Sequence, residues 1–543
     1  MDKNALAQCT LEQYERDFAA RHLIHGVVSY WAKRKPQAPA VIYHERRQTL
    51  DWITLEQTSA DLARRLLAAG FRKGDFFVTW LTFSPEHILL EYACFRIGVI
   101  HVPLDLRLRP AEAARCVQLL KPRGFACLPT EAAEAVRAEC AVPHFCTVTP
   151  GGQLFSEFAP APAGELRLAE VQVAETDPAQ VIFTTGSTGS PKPALLSHRN
   201  ITCQNMCLGA AFQFEERIRF LVNLPHSHVG GQAEALMTTL FWGGTAVVLE
   251  VFDGAKSLAA IQEHKVHMVG QIPAMFNFEW RQPGYASFDL SSLETAIYGG
   301  QQVPVQFLER MAAMAPRIGT GLGLTECAGF CTYTMPGAGV AEIAGGLGFD
   351  MPVYPMSIRR PMRPDGLAGE ELPDGEIGHV CFRGPQTFLG YIGDPEATAR
   401  TISTDGHLYT GDLGFRDAKG LHLVARARWI IKPAGYQVFP GDVENHFCLL
   451  EKVAGCAAVG VEHRTLTEAI VAFIERRPDA EITAQELRQH ARGIASYMRP
   501  LHYVILEPGQ LPLNRAVKTD YVRLSKTARE EIERLRAAGR WDG

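Results

Sequence analysis

The most informative segment of this chain reads Val181-Ile182-Phe183-Thr184-Thr185-Gly186-Ser187-Thr188-Gly189-Ser190-Pro191-Lys192. Its first three residues form a short apolar run that predicts a buried strand. The strand opens into a loop of small and hydroxyl residues that ends at a lysine. Glycines let backbone N–H groups turn toward a ligand, hydroxyls add donors and the lysine adds a positive charge. The segment therefore predicts a polyphosphate-binding loop, although it lacks the Gly-Lys-Ser/Thr ending of a Walker loop.

This loop resembles the phosphate-binding loop of the adenylate-forming superfamily, which includes acyl- and aryl-CoA synthetases, peptide-synthetase adenylation domains and luciferases. The family pattern is close to Thr-Ser-Gly-Thr-Thr-Gly-x-Pro-Lys-Gly. This chain keeps both glycines, the proline and the lysine, and has Pro193 where the family usually has glycine. The resemblance implies that ATP phosphates are held by Thr184, Thr185, Gly186, Ser187, Thr188, Gly189 and Lys192.

The bulk composition excludes several classes of protein. A chain of 543 residues is too long for one core, and 47% apolar with 21% charged residues is ordinary for a globular protein. The net charge of −5 gives no electrostatic case for nucleic-acid or anionic-membrane binding. We find no apolar stretch of about 18 residues, as a spanning helix needs, and no signal-peptide pattern. The sequence predicts a cytoplasmic protein without a transmembrane segment.

Cysteine and histidine spacing does not predict a metal site. The 13 cysteines are scattered, and the pairs Cys203/Cys207 and Cys327/Cys331 predict core packing on one helix face. No His/Cys set has the spacing of a zinc site. His226-Ser227-His228 is weak evidence for a metal on its own.

The pattern of apolar runs predicts an α/β fold with two domains. Helical periodicity alternates with short strands from Leu50 to Pro193, with Thr58–Ala69 as one amphipathic helix. From Met351 to Leu413 short strands and Gly/Pro/Asp turns predict a β-rich subdomain. We predict a large N-terminal domain of layered α/β sheets over residues 1–427. A small, mobile α+β C-terminal domain follows over residues 428–543.

A second motif, Gly321-Leu322-Gly323-Leu324-Thr325-Glu326, places glycines beside a hydroxyl and a carboxylate. It resembles the family pattern Tyr-Gly-x-Thr-Glu, which implies that Thr325 contacts the α-phosphate and that Glu326 holds Mg²⁺. Leu322 replaces the aromatic residue that normally stacks on adenine. The adenine base is therefore expected to contact mainly the turn Gly299-Gly300-Gln301. This turn resembles the family's strand-end turn beside adenine and the acyl pocket.

The loop Leu224-Pro225-His226-Ser227-His228-Val229-Gly230-Gly231 resembles the one that ends in the family's pocket-gating histidine. His228 takes that position. Members that activate amino acids carry an aspartate here to pair with the α-ammonium. This loop has no acidic residue, so an α-amino acid would bury an unpaired cation, and amino-acid activation is disfavoured.

The segments after residue 400 resemble the family's ribose site and hinge. Asp412, in Thr-Gly-Asp, is expected to accept both ribose hydroxyls, and Arg426 to contact the same sugar. Arg428 occupies the pivot position. Lys432 matches the lysine of the hinge pattern, and Gly435 would let the backbone lie along a pantetheine arm.

A final lysine, Lys518, matches the one that bridges the substrate carboxylate and the α-phosphate in the family. Val517 replaces the usual preceding glycine, which restricts the backbone at that point.

The resemblance implies an AMP-forming acid–CoA ligase that uses ATP, Mg²⁺ and CoA. A carboxylate would attack the α-phosphate, and a CoA thiol would then displace AMP. The small residues Gly299, Gly300, Gly321 and Gly323, with His228 and no obvious charge, suggest an apolar acid, whether medium-chain, alicyclic or aromatic. Two alternatives stay open: a freestanding adenylase that loads a carrier protein, and a nucleotide-binding homologue that has lost catalysis. The departures Pro193, Leu322 and Val517 would favour the second. Oligomeric state is not predicted.

Overall fold

A computed structural model describes the chain over residues 9–149, 158, 171–184, 191–513 and 519–541. Apolar runs form strands, and most of the intervening segments form helices that cover the sheets. The strands, β1 to β23 in chain order, are Pro39–Tyr43, Gln48–Asp51, Phe76–Trp80, Ile100–Pro103, Gly124–Cys127, His144–Thr147, Pro178–Phe183, Pro193–Ser197, Arg219–Val222, Thr245–Val248, Met268–Gln271, Thr295–Tyr298, Arg317–Gly319, Gly323–Leu324, Gly329–Phe330, Met356–Arg359, Gly378–Phe382, Gly390–Tyr391, Leu408–Asp417, Gly420–Arg426, Val453–His463, Thr467–Arg476 and His502–Leu506.

The helices are numbered in the same way. The α-helices, α1 to α16, are Leu11–Asp17, Ile24–Arg34, Trp52–Ala68, Pro85–Arg96, Pro110–Leu120, Glu131–Glu139, His198–Ala211, Thr238–Phe241, Gly254–His264, Pro273–Trp280, Val305–Met314, Val340–Ala344, Pro395–Thr401, Pro440–Cys448, Ala484–His490 and Tyr521–Ala537. Short 3₁₀ turns lie at Ala19–Arg21, Tyr285–Ser287, Thr325–Cys327, Ala427–Trp429, Ala491–Gly493 and Ser496–Met498, and a π-helix spans Gly230–Met237. Among the residues described, no helix has the length and apolar character that crossing a membrane requires.

Two seven-stranded sheets form the large part of the molecule. The first has the order β13-β12-β11-β9-β10-β1-β2 and is parallel except for β2. The second has the order β18-β8-β7-β4-β3-β5-β6, in which β8 runs antiparallel to both of its neighbours, β7 and β18. Parallel strands covered on both faces are largely apolar, as the short runs in the sequence predict, although β4 and β7 carry the buried polar residues His101 and Gln180.

The helices α4 and α7 are buried along their whole length. The largest apolar cluster contains residues of both helices and of both sheets, so the layers share one core. Each helix starts at a capped end. Ser84 accepts a hydrogen bond from the His87 N–H (3.3 Å), and Ser197 and Asn200 cap each other's backbone N–H.

Among the described residues three smaller sheets complete the fold, and one of them is the two-stranded pair β14-β15. The antiparallel sheet β16-β17-β19-β20 is the predicted β-rich subdomain, although it continues to Arg426 instead of ending at Leu413. The sheet β21-β22-β23 packs with α14, α15 and α16 into a C-terminal unit with apolar clusters of its own. The boundary at residue 428 stays a prediction.

One predicted helix begins earlier than its periodicity indicated. The helix expected over Thr58–Ala69 is α3, which starts at Trp52. Asp51 accepts a hydrogen bond from the Thr54 N–H (2.8 Å), so the carboxylate caps a turn that the apolar pattern alone does not reveal. The cysteine pairs Cys203/Cys207 and Cys327/Cys331 are buried, which confirms core packing. Only the first pair shares a helix, because Cys327 ends a 3₁₀ turn and Cys331 follows β15.

Gly209 in α7 provides a test of the packing between layers. A Cβ at this position would overlap the indole of Trp242, whose Nε1–H donates to the Asn205 carbonyl (2.9 Å). Gly209→Ala should therefore lower the free energy of unfolding by about 1–3 kcal/mol, despite alanine's better helix propensity. Gly441→Ala in α14, where a Cβ would contact nothing, should cause no loss. Equal effects in chemical denaturation would contradict this packing.

Candidate active site

The two residues at the ends of the predicted phosphate loop are hydrogen-bonded to each other. The Thr184 N–H donates to the Lys192 carbonyl (2.8 Å), and the Lys192 N–H donates to Thr184 Oγ1 (3.4 Å). Residues Thr185–Gly189 lie outside the described part of the chain. The antiparallel pairing of β7 with β8, which aligns Phe183 with Pro193, fixes both ends of the loop at one edge of the second sheet.

Tyr391 joins the phosphate loop to the Thr325-Glu326 motif. It lies on β18, which pairs with β8 directly after Lys192. The Tyr391 hydroxyl donates to Glu326 Oε1 (2.5 Å), and Lys192 Nζ lies 5.1 Å from the centroid of the Tyr391 ring. Burial, together with the Glu326 carboxylate, raises the pKa of Tyr391, so the hydroxyl remains a donor. The structure thus brings both Lys192 and Glu326 against one side chain.

Thr325 and Glu326 lie in a tight turn between β14 and β15. Ala328 ends the turn with a left-handed φ of 59°, and Thr325 is buried. Gly321 must be glycine because a Cβ there would overlap the Thr332 carbonyl. Leu322, at the position where the family has an aromatic residue, is buried in the core.

Asp412 and Arg426 form an ion pair across the hairpin β19-β20. The two residues are register partners, and Arg426 Nε lies 2.7 Å from Asp412 Oδ1. The Asp412 side chain is 5% exposed and that of Arg426 is 44% exposed. A buried carboxylate beside a partly exposed guanidinium is suited to accept hydrogen bonds from a polar ligand at the surface.

Cys331 connects this pair to the Thr325 turn. Burial raises the pKa of the Cys331 thiol, with contributions from the nearby carboxylates of Asp412 and Glu234. The Cys331 N–H donates to the Leu322 carbonyl (2.7 Å), so the thiol belongs to the hairpin that carries Thr325. Asp412 therefore lies near Cys331, which directly follows the strands of the hairpin that carries Thr325.

The predicted gating loop places His228 beside a carboxylate that sequence reasoning missed. The Gly230 N–H donates to His228 Nδ1 (3.0 Å). A methyl group at Gly230 would lie 3.1 Å from His228 Nδ1 and 3.4 Å from Glu234 Oε2. Glu234, on the π-helix after the loop, also lies against Gly323. The predicted absence of acidic residues holds for the loop itself but not for the helix that follows it.

The turn Gly299-Gly300-Gln301 follows β12 and stays open to solvent. Gly300 is exposed with a φ of 99°, which a larger residue rarely adopts. A methyl group at Gly299 would lie 3.1 Å from the Phe330 ring. The turn thus meets the Thr325 hairpin through Phe330, and Gln301 is exposed beside it.

Lys432 and Gly435 belong to the C-terminal unit. The Lys432 N–H donates to Glu468 Oε2 (2.6 Å) on β22, and Gly435 is exposed with a φ of 85°. Within the described residues, neither one is recorded in contact with Asp412 or Glu326. Arg428 lies in the turn Ala427–Trp429, and its side chain is outside the described part, as is all of Lys518.

Sequence reasoning missed Tyr391 and Glu234. The segment Phe388-Leu389-Gly390-Tyr391 reads only as a strand end, and the role of its tyrosine depends on a pairing that the sequence does not display. Glu234 lies three residues beyond the end of the gating loop at Gly231 and six residues after His228, so a longer window around the loop includes it.

Comparison with known proteins identifies the family. The AMP-binding enzyme family matches residues 28–392, and the AMP-binding enzyme C-terminal domain matches residues 442–518. The chain belongs to the AMP-binding enzyme family. The predicted membership of the adenylate-forming superfamily is confirmed.

Named relatives and solved structures agree with this assignment. A feruloyl-CoA synthase of an Amycolatopsis species is 32% identical over 480 residues, covering 86% of this chain and 92% of the relative. A mitochondrial medium-chain acyl-CoA ligase, ACSF2, of Macaca fascicularis is 27% identical over 544 residues, covering 93% and 86%. ATP-bound MatB from Rhodopseudomonas palustris has the same fold, with a TM-score of 0.80 and 23% identity over 93% of this chain and 98% of that one. The predicted fold class is confirmed.

The hydrogen bond from Tyr391 to Glu326 can be tested by removing one oxygen. Tyr391→Phe should lower the free energy of unfolding by about 1–2 kcal/mol, because a charged acceptor in a half-buried site loses its donor. Tyr436→Phe, whose exposed ring stacks on Tyr497, is the matched control and should have no effect. Chemical denaturation of both variants measures the difference. Indistinguishable stabilities would contradict the contact.

Proposed function

We propose that this chain activates an apolar carboxylic acid with ATP and transfers the acyl group to CoA. The enzyme class, an AMP-forming acid–CoA ligase, is confirmed by the family and by relatives named as CoA ligases. The observation that carries the proposal is the convergence of Lys192 and Glu326 on Tyr391. The Asp412–Arg426 ion pair, with Asp412 near Cys331, is the third part of the arrangement. Three segments far apart in sequence thereby supply a cation, a metal-binding carboxylate and a sugar-binding carboxylate.

We assign the phosphates of ATP to two places, Lys192 with its loop and Thr325. Lys192 and the loop Thr184–Gly189 would hold the β- and γ-phosphates, since backbone N–H groups and one lysine neutralise polyphosphate well. Thr325 would contact the α-phosphate. Neutralisation matters because an anionic carboxylate must approach an anionic phosphate, and no protein nucleophile is needed.

Glu326 is the residue that would hold Mg²⁺. Its carboxylate is partly exposed and is oriented by Tyr391, and Mg²⁺ is commonly bound by one or two carboxylates together with substrate phosphates. The donor type therefore fits the ion. When bound, Mg²⁺ supplies charge neutralisation at the phosphate oxygens.

Asp412 and Arg426 would bind the ribose. Two adjacent hydroxyls can both donate to one carboxylate, and the ion pair with Arg426 fixes the orientation of that carboxylate. Because Leu322 is aliphatic and buried, the adenine would rest mainly on Gly299-Gly300-Gln301.

The acid would lie beside His228 and the glycines Gly299 and Gly323. Gly299 and Gly323 lie against Phe330, which offers an apolar surface to an acyl group. A feruloyl and a medium-chain acyl group are the substrates named for the two relatives, and both are largely apolar. Glu234 borders the same glycines, so a polar substituent on the acid would meet a carboxylate there.

The second half-reaction would use the C-terminal unit. Rotation about Arg428 would withdraw Lys518, which clamps charge during adenylation, and would bring Gly435 and Lys432 to the CoA arm. Gly435 suits this role because it is exposed and a Cβ there would contact nothing, which leaves its backbone open to a ligand. Such closure is a gated step of the lid type. A cytoplasmic location stays part of this proposal.

A panel of acids tests the function. With ATP, Mg²⁺ and CoA, aromatic, alicyclic and medium-chain acids should yield AMP and acyl-CoA in equal amounts, whereas α-amino acids should yield neither. Each apolar acid should be paired with its hydroxylated analogue to probe the side near Glu234. AMP without thioester for every acid would indicate a carrier protein as acceptor. No AMP with any acid would indicate a binder without catalysis.

Single substitutions should impair one half-reaction and spare the other. Lys518→Ala should cripple adenylation and leave thioester formation from pre-made acyl-adenylate largely intact. Gly435→Val should do the reverse, because valine is strained at a φ of 85° and would obstruct the CoA arm.

The controls are Lys526→Ala, an exposed lysine on α16, and Ala434→Gly, which relieves a φ of 50°. Both should behave as the parent protein does in rapid-quench assays of each half-reaction. Equal loss of both steps in Lys518→Ala would contradict the role given to that lysine.

A further inference from the structure

A cluster of histidines and one glutamate is buried beneath the gating loop. His87 and Glu91 lie one turn apart on α4, and His101 lies on β4. All three side chains are fully buried, and ligand atoms of the three lie within 4.8 Å of one another. His226, in the gating loop, adds a fourth imidazole, whose ring centroid lies 4.3 Å from that of His87.

Several nitrogens and oxygens of this cluster have no hydrogen-bond partner among the described residues. They are both ring nitrogens of His87, Nε2 of His226 and Oε2 of Glu91. Burying such groups unpaired is costly, so protein interiors normally pair them with a protein group, a water or an ion. The atoms that lack partners belong to the residue types that bind transition metals.

The groups that do have partners are arranged as the outer contacts of a metal site. His101 Nε2 lies 3.0 Å from Thr79 Oγ1, which leaves Nδ1 facing Glu91 Oε1 at 3.2 Å. Gln180 donates to Glu91 Oε1 (2.8 Å), and Gln232 donates to the same oxygen. A second partner that orients each ligand is typical of metal-binding histidines and carboxylates.

We propose that His87, Glu91 and His101 bind a divalent first-row transition metal, with zinc as the expected occupant and His226 beside the fourth position. Two or three imidazoles with one carboxylate is a donor set that zinc accepts in tetrahedral sites. The ion would join α4 and β4 beneath His226, two residues before His228. This site is separate from Glu326 and does not depend on the proposed reaction.

The protonation states agree with this assignment. Burial lowers the pKa of His101 and of His226 to about 3 and lowers that of His87, so the imidazoles keep their lone pairs at neutral pH. Burial raises the pKa of Glu91, the direction expected for a carboxyl group held away from water.

Metal analysis of the whole chain, expressed without a histidine tag in zinc-supplemented medium, tests the proposal. After dialysis against EDTA the protein should retain about one zinc ion per chain, because the site is closed to solvent. The ion should be released only on unfolding. Cobalt introduced by refolding should give the visible spectrum of a tetrahedral site. Less than a tenth of an equivalent of any transition metal would overturn the proposal and leave a proton-sharing network in its place.

Matched variants locate the ion. Glu91→Gln keeps the size of the side chain and should lower the metal content at least about tenfold, as should His87→Phe. His264→Asn removes a ligand from the surface group His44, Glu263 and His264, which offers the same donor types in a more exposed place, and should change nothing. Loss of metal in His264→Asn with retention in Glu91→Gln would contradict the buried site. If the buried variants fail to fold, the metal content and cobalt spectrum of the parent protein decide the question.

Discussion

The antiparallel pairing of β18 with β8 is the constraint on which the candidate active site depends. It sets Tyr391 beside the strand that begins directly after Lys192, and the tyrosine hydroxyl then reaches Glu326. Without this pairing the phosphate loop and the Thr325 turn would be two unconnected loops. One aromatic side chain thus contacts both a cation and a carboxylate, which we propose act on the same polyphosphate.

Much of the fold and of the site could be predicted because the motifs are local. The strand before the phosphate loop, the Thr325-Glu326 turn and the Asp412 hairpin each carry their chemistry within a few consecutive residues, and the structure joins the first two through Tyr391. Leu322 departs from the aromatic residue of the family pattern, and the sequence alone shows this. Its burial explains how the chain accommodates a leucine there.

What the sequence did not reveal depends on contacts across elements. Tyr391 acquires its role from strand pairing, Glu234 from a helix that returns toward Gly323, and the α3 start from a cap at Asp51. The buried histidine cluster is the clearest case. Its ligands come from α4, β4 and the gating loop, so no spacing along the chain resembles a zinc motif. Only the packing of the two sheets brings them together.

The most direct test of the central claim is a crystal structure of the protein with AMP bound. The account predicts the ribose hydroxyls on Asp412, the phosphate beside Thr325, and the Tyr391–Glu326 hydrogen bond intact next to it. AMP bound elsewhere, or bound with Asp412 and Glu326 on separate surfaces, would contradict the account.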